Sequence, residues 1–113
     1  MCGIFGIISG AGTIVKKSEL QLLADHSEQR GKDSSGLFIN SEMNYAIYRS
    51  NKSICSLLKD INTTASNFVM GHSRLITNGL SDNQPVNRDG VCVIHNGIVV
   101  NHEALWAQLD KNR

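Results

Sequence analysis

The sequence predicts a single domain of mixed α/β class, and three features of the chain predict it. Short apolar runs bounded by Gly and polar turn residues recur at 3–9, 36–40, 44–49, 67–71 and 91–95, each of strand length. Between and after them, apolar residues take helical spacing over 17–30, 52–61 and from 101 onward. No internal repeat, low-complexity tract or linker divides the chain.

Gly-Ile-Phe-Gly-Ile-Ile-Ser at 3–9 predicts a buried strand, its two glycines marking close backbone approach. Gly-Ala-Gly-Thr at 10–13 is a turn. A helix is expected from Lys17 to Arg30, with Ser18 and Gln21 as a capping box, Leu20 and Leu23 on its apolar face and Gly31 as its stop. A polar loop at 31–36 leads into a hairpin that turns at Asn40-Ser41-Glu42. Ile54, Leu57, Leu58 and Ile61 give one face to a short helix over 52–61, in which Cys55 is expected to be an inert small hydrophobe. After a strand at 67–71, a long polar loop covers 78–90 and includes Gln84-Pro85. A buried strand is expected at 91–95, stopping at Asn96-Gly97. Asn101 then caps a helix with Glu103 in its first turn and Leu105, Trp106 and Leu109 on one face.

Composition excludes several functions. The 113 residues suffice for one small domain with a modest core. With 41% apolar and 19% charged residues the chain is an ordinary globular mixture. A formal net charge of +1 without a basic stripe argues against nucleic acid as a partner. No apolar run approaches the roughly 20 residues of a membrane span. Residues 1–10 lack the basic start of a signal peptide. Three widely spaced cysteines, Cys2, Cys55 and Cys92, argue against a disulfide framework and point to a reducing cytoplasm.

Cys2 is the most chemically loaded position. Removal of Met1 would leave it with a free α-amine, whose pKa of about 7.7–8.0 makes it partly unprotonated near neutrality. One residue then carries both a nucleophilic thiol and a base for its proton. Alternatively, Cys2 merely begins a strand. Asn96-Gly97, at the end of a buried strand, can offer a side-chain NH2 and a backbone N–H to a developing oxyanion. The same dipeptide is also a strong hairpin-turn signal. Arg74 can pair bidentately with a substrate carboxylate, with Thr77 and Asn78 as polar neighbours, or can simply be an exposed strand-end cation. The loop from Arg30 through Gly31 to Gly36 can approach the N-terminus, or be a solvated turn. Cys92 and His95 have a metal-ligand spacing, but strand alternation separates their faces and no second Cys pair exists, so no metal is expected.

Taken together, Met-Cys-Gly-Ile at the start, Arg-Gly-Lys-Asp-Ser-Ser-Gly at 30–36, Gly-His-Ser-Arg-Leu at 71–75, Asn83-Gln84-Pro85 and His95-Asn96-Gly97-Ile98 resemble the class II glutamine amidotransferases. That resemblance spans nearly the whole chain. It implies a glutamine amidotransferase type 2 domain over 1–113, with the N-terminal-nucleophile hydrolase fold, a four-layer α/β/β/α sandwich, here incomplete. It further implies that Cys2 attacks the glutamine side-chain amide and that Asn96 and Gly97 form the oxyanion hole. Arg74, with Thr77 and Asn78 nearby, would bind the glutamine α-carboxylate, and Arg30 and Gly31 would help to place the N-terminal residue. No cofactor is implied. Ammonia would pass to an acceptor handled by a synthase domain or subunit outside this chain, and homo-oligomerisation is left open. The motifs around Asn96 and Thr77 look more like the sugar-phosphate enzymes. Leu75 and Gln84-Pro85 look more like asparagine synthetase, and the phosphoribosyl enzymes share some of both. Family domains are longer and carry an acidic residue for the glutamine α-amino group beyond the Asn-Gly motif. The chain is therefore expected to be a fragment, and a catalytically inactive interaction module of the same fold is the alternative.

Overall fold

A computed structural model describes residues 2–76 and 83–109. In chain order these form β1 (Gly3–Ile8), α1 (Lys17–Glu28), β2 (Ser34–Ser41), β3 (Tyr45–Ser50), α2 (Ile54–Lys59), β4 (Ser66–Arg74), β5 (Val86–Arg88), β6 (Val91–Val93) and α3 (His102–Gln108). The class is mixed α and β, as expected. Among the described residues all sheet pairing is antiparallel.

The main sheet has the order β1-β4-β2-β3, so the first strand pairs with the fourth and is an edge strand among the described residues. Alternation assigns each side chain to a face. Phe5 and Ile7 of β1, Val69 of β4 and Leu37 and Ile39 of β2 share the face on which α1 and α2 lie. With Leu20, Ala24, Ile54, Leu57 and Leu58 from the helices, they build the core. The helical spacing of Ile54, Leu57, Leu58 and Ile61 put them on the packed side, as expected. Ser53 caps α2 by accepting from the Ser56 N–H.

The opposite face carries Ile4, Ile8, Phe68, Met70, Phe38, Ile47 and Tyr45. Phe38 stacks on Tyr45 at 5.8 Å and tilts against Phe68 at 5.7 Å. The lower half of this face is open among the described residues, with Ile8 77% exposed. The upper half is met by the segment around Pro85, which is fully buried.

Several expectations change. Lys16, not Ser18, is the N-cap of α1 and makes no side-chain bond. Gln21 turns outward to Asp25 instead of closing a capping box. The polar run His72-Ser73-Arg74 belongs to β4, because its neighbours on both sides satisfy its backbone. The loop expected over 78–90 contains β5, which turns back into β6 through Asp89-Gly90, both at positive φ (52° and 78°). That dipeptide takes the twist a two-residue hairpin needs. The strand expected at 91–95 ends at Val93 and is exposed rather than buried, since β5 is its sole described partner and Val91 and Val93 face outward. On α3, no residue is buried among the described ones, and Trp106 lies under the Arg88 guanidinium at 5.9 Å.

Candidate active site

The site begins where α1 meets the main sheet. Leu20, Ala24 and Ser27 recur along one stripe of α1, and the stripe ends on a hydroxyl. Ser73 Oγ donates to the Ser27 carbonyl at 2.6 Å, and Ser27 Oγ lies 2.6 Å from Ser73 Oγ. A hydroxyl has one proton. Ser73 spends it on the carbonyl, so Ser27 must donate in the second bond. Gly3 lies directly over this pair, where a Cβ would collide with Ser27 Oγ, Ser27 O and Ser73 Oγ. The residue next to Cys2 is thereby locked between helix and sheet.

Cys2 stands one residue before the ladder starts at Gly3 opposite Ser73. Continuing that register puts it level with Arg74, which is opposite Ser34 on the next strand. Cys2 is half-buried and its thiol is unbridged. It opens on a cleft of about 380 Å³ that Arg30 and Asn96 also line. That volume is within the ~300–1,000 Å³ usual for small-ligand sites. The fold thus gathers three of the candidate residues, Cys2, Arg30 and Asn96, on one cavity. His26 and Ser27 line it too. Both were missed as site residues, although the α1 stripe ending on Ser27 was a signal that its C-terminal turn faces something polar.

The other candidates cluster beside this cleft. Gly31 packs against the Arg74–Leu75 peptide at the end of β4, where a side chain would clash with the backbone. Its φ is not positive, so close approach explains this glycine, not a helix C-cap. Asp33 ties the same loop down: its N–H donates to the Arg74 carbonyl at 3.0 Å, and its carboxylate accepts from the Ile76 N–H at 2.7 Å. Arg74 is half-buried at the end of β4. Gly97 follows Asn96 in the segment after β6, with the His95 ring 3.1 Å from where its Cβ would be. Asn96-Gly97 is therefore not the turn of the β5–β6 hairpin. Thr77 and Asn78 lie outside the described residues.

Local electrostatics separate the thiols. Burial, reinforced by a hydrogen bond to Asp25, pushes the Cys55 thiol up to about 12. Burial also raises Cys92, against a smaller pull from Arg49. Burial thus disfavours the thiolate, the nucleophilic form, at Cys55 and at Cys92. Burial holds His72 below its ordinary range, and the nearby Arg74 charge adds to this, against a smaller opposing contribution from the His95 backbone.

Comparison with known proteins gives a consistent result. The chain is 32% identical over 117 residues to the glutamine–fructose-6-phosphate aminotransferase (isomerizing) of Bradyrhizobium diazoefficiens, covering 99% of this chain. It is 32% identical over 122 residues to that of Buchnera aphidicola, again over 99% of its length. To that of Wigglesworthia glossinidia brevipalpis it is 33% identical over 121 residues and 96% of its length. In each case the chain spans 19% of the relative. No family model matches the chain.

Proposed function

We propose, starting from the chain's membership of the class II glutamine amidotransferases, that Cys2 hydrolyses the side-chain amide of glutamine. The observation that carries this is the shared cleft: Cys2, Arg30 and Asn96, distant in sequence, line one cavity.

The chemistry follows from the groups present. Removal of Met1 exposes the Cys2 α-amine, which takes the thiol proton as sulfur attacks the amide carbon. The carbonyl oxygen becomes an oxyanion, which the Asn96 side-chain NH2 and the Gly97 N–H stabilise. The C–N bond breaks, the protonated amine returns its proton to the leaving nitrogen, and ammonia departs from a glutamyl thioester. Water then attacks that carbon, gives a proton to the amine and releases glutamate with the thiol restored. Arg74 pairs with the glutamine α-carboxylate, and we assign Thr77 and Asn78, which lie outside the described residues, to the same substrate-binding role. Arg30 forms one wall of the cleft, and Gly31 keeps its loop tight against Arg74.

The fold reading agrees with this chemistry. One helical layer on one sheet, with an apolar second face, supports our reading of the fold as half of a four-layer α/β/β/α sandwich of the N-terminal-nucleophile hydrolase type. The ammonia acceptor we assign is a sugar phosphate, which the relatives' names favour over an asparagine synthetase-type or phosphoribosyl acceptor. An acceptor synthase portion outside these residues would use the ammonia, in a reducing cytoplasm that suits three free thiols. No described helix is long and apolar enough to cross a membrane. The test is glutamate release from glutamine by Met1-trimmed protein. Cys2→Ala is expected to abolish it, and activity surviving that change would remove Cys2 from the mechanism.

A further inference from the structure

We infer that Gln84 is a positioning residue for the Asn96-Gly97 donors, acting through the backbone of His95; this rests on the glutaminase function proposed above. Gln84 grips His95 at two points. The His95 N–H donates to Gln84 Oε1 at 2.5 Å, and Gln84 Nε2 donates to the His95 carbonyl at 3.1 Å.

The reason for this clamp lies in the register of the small hairpin. Val86 is opposite Val93, where β5 and β6 cease to pair. Two residues further out, Gln84 stands opposite His95. Between them Pro85 has no N–H to offer the ladder. The Gln84 carboxamide does what the next backbone pair would have done. A carboxamide carries a donor and an acceptor on one planar group, which lets it match a backbone N–H and C=O together. The ladder is thus extended by a side chain up to the residue before Asn96.

Gln84 is itself held by the main sheet. Its carbonyl lies so close over Gly36 that a Cβ there would collide with it. Arg49 Nε donates to the Pro85 carbonyl at 2.6 Å, and Asn83 Nδ2 donates to Asn51 Oδ1 at 2.9 Å. Rigid contact therefore runs from β2 and β3 through residues 83–85 to His95, and on to Asn96 and Gly97. Oxyanion donors act by being fixed before charge develops, so the clamp matters to kcat rather than to glutamine binding.

The experiment uses the Met1-trimmed full chain and follows glutamate release with kcat and KM separated, alongside alkylation of Cys2 by iodoacetamide. Gln84→Ala is expected to lower kcat by about 10- to 100-fold, with KM within about threefold and Cys2 alkylation at the wild-type rate. Gln84→Glu keeps the shape and the acceptor but loses the donor, so its kcat falls between the two. In an Asn96→Ala background, Gln84→Ala adds less than about a threefold further loss, because both act on the same donors. An unchanged kcat in Gln84→Ala, full additivity with Asn96→Ala, or a parallel loss of Cys2 alkylation in both Gln84 variants would overturn the positioning role. Absence of glutamate release by the wild-type chain removes the glutaminase function and this role with it. Release by wild type with an unaffected Gln84→Ala removes the positioning role alone.

Discussion

Gly3→Ala is the substitution for which the structure makes its sharpest demand. The added methyl would fall on Ser27 Oγ, Ser27 O and Ser73 Oγ together, and all three are joined by two hydrogen bonds of 2.6 Å in a buried junction. A backbone carbonyl cannot swing aside, so α1 and β1 must separate or the serine pair must break. Overpacking in a tight site costs about 1–3 kcal/mol. A buried hydrogen bond left unmade costs about 1–3 kcal/mol. The two overlap, because movement that relieves the clash breaks the bonds, so the expected loss is about 2–4 kcal/mol. For a domain of this size that is a fall in melting temperature of about 8–17 °C. Gly6→Ala, in the same strand, is the control. Its methyl would meet Val69 O at 3.6 Å and Met70 Cβ at 3.9 Å, ordinary contacts, so its expected cost is under about 0.5 kcal/mol. Urea denaturation of both variants measures the contrast. Equal stabilities would refute the view that the Ser27–Ser73 junction is packed around Gly3.

Three further outcomes follow from the site. Asn96→Ala should lower kcat for glutamate release by about 10²–10³-fold while the melting temperature stays close to wild type, as steady-state kinetics beside a thermal melt would show. His72 is held below its unfolded pKa by burial and by Arg74. The unfolded chain therefore binds a proton more readily, and the stability from a neutral His72 is complete above the ordinary histidine pKa. It is lost as pH falls through the folded pKa, with a slope no steeper than about 1.4 kcal/mol per pH unit. Melts of wild type and His72→Gln from pH 7.5 to 5 should converge toward acid, and a constant difference would contradict this. Cys55, raised from 9.0 to about 12, should react with iodoacetamide at pH 8 about 10³ times more slowly than an unperturbed thiol, read by peptide mass mapping.

Much of the fold was legible because burial leaves a period in the sequence. The Ile54, Leu57, Leu58 spacing gave α2 its packed face, and the strand formers around Asn40-Ser41-Glu42 gave the β2–β3 hairpin. What failed to show were features decided by distant partners. Strand order β1-β4-β2-β3 depends on pairings across the whole chain. His72-Ser73-Arg74 looks like a loop because its residues are polar, yet Ser27 supplies the partner that lets Ser73 be buried. β5 was hidden by its three-residue length and by Pro85, while Asp89-Gly90 was the turn signal that should have revealed it. Cys2 and Asn96 were visible as chemical types in a telling order. Their meeting with Arg30 on one cleft was not, since it depends on how the segment after β6 returns to the end of β1.

The most direct test of the account is to look for the covalent intermediate. Met1-trimmed chain mixed with glutamine and quenched in acid should carry one glutamyl group, glutamine less ammonia, on the peptide that begins with Cys2. The adduct should be absent from Cys2→Ala and from the peptides holding Cys55 and Cys92. Glutamate release with the adduct on another residue, or with Cys2→Ala fully active, would contradict the assignment of Cys2 as nucleophile.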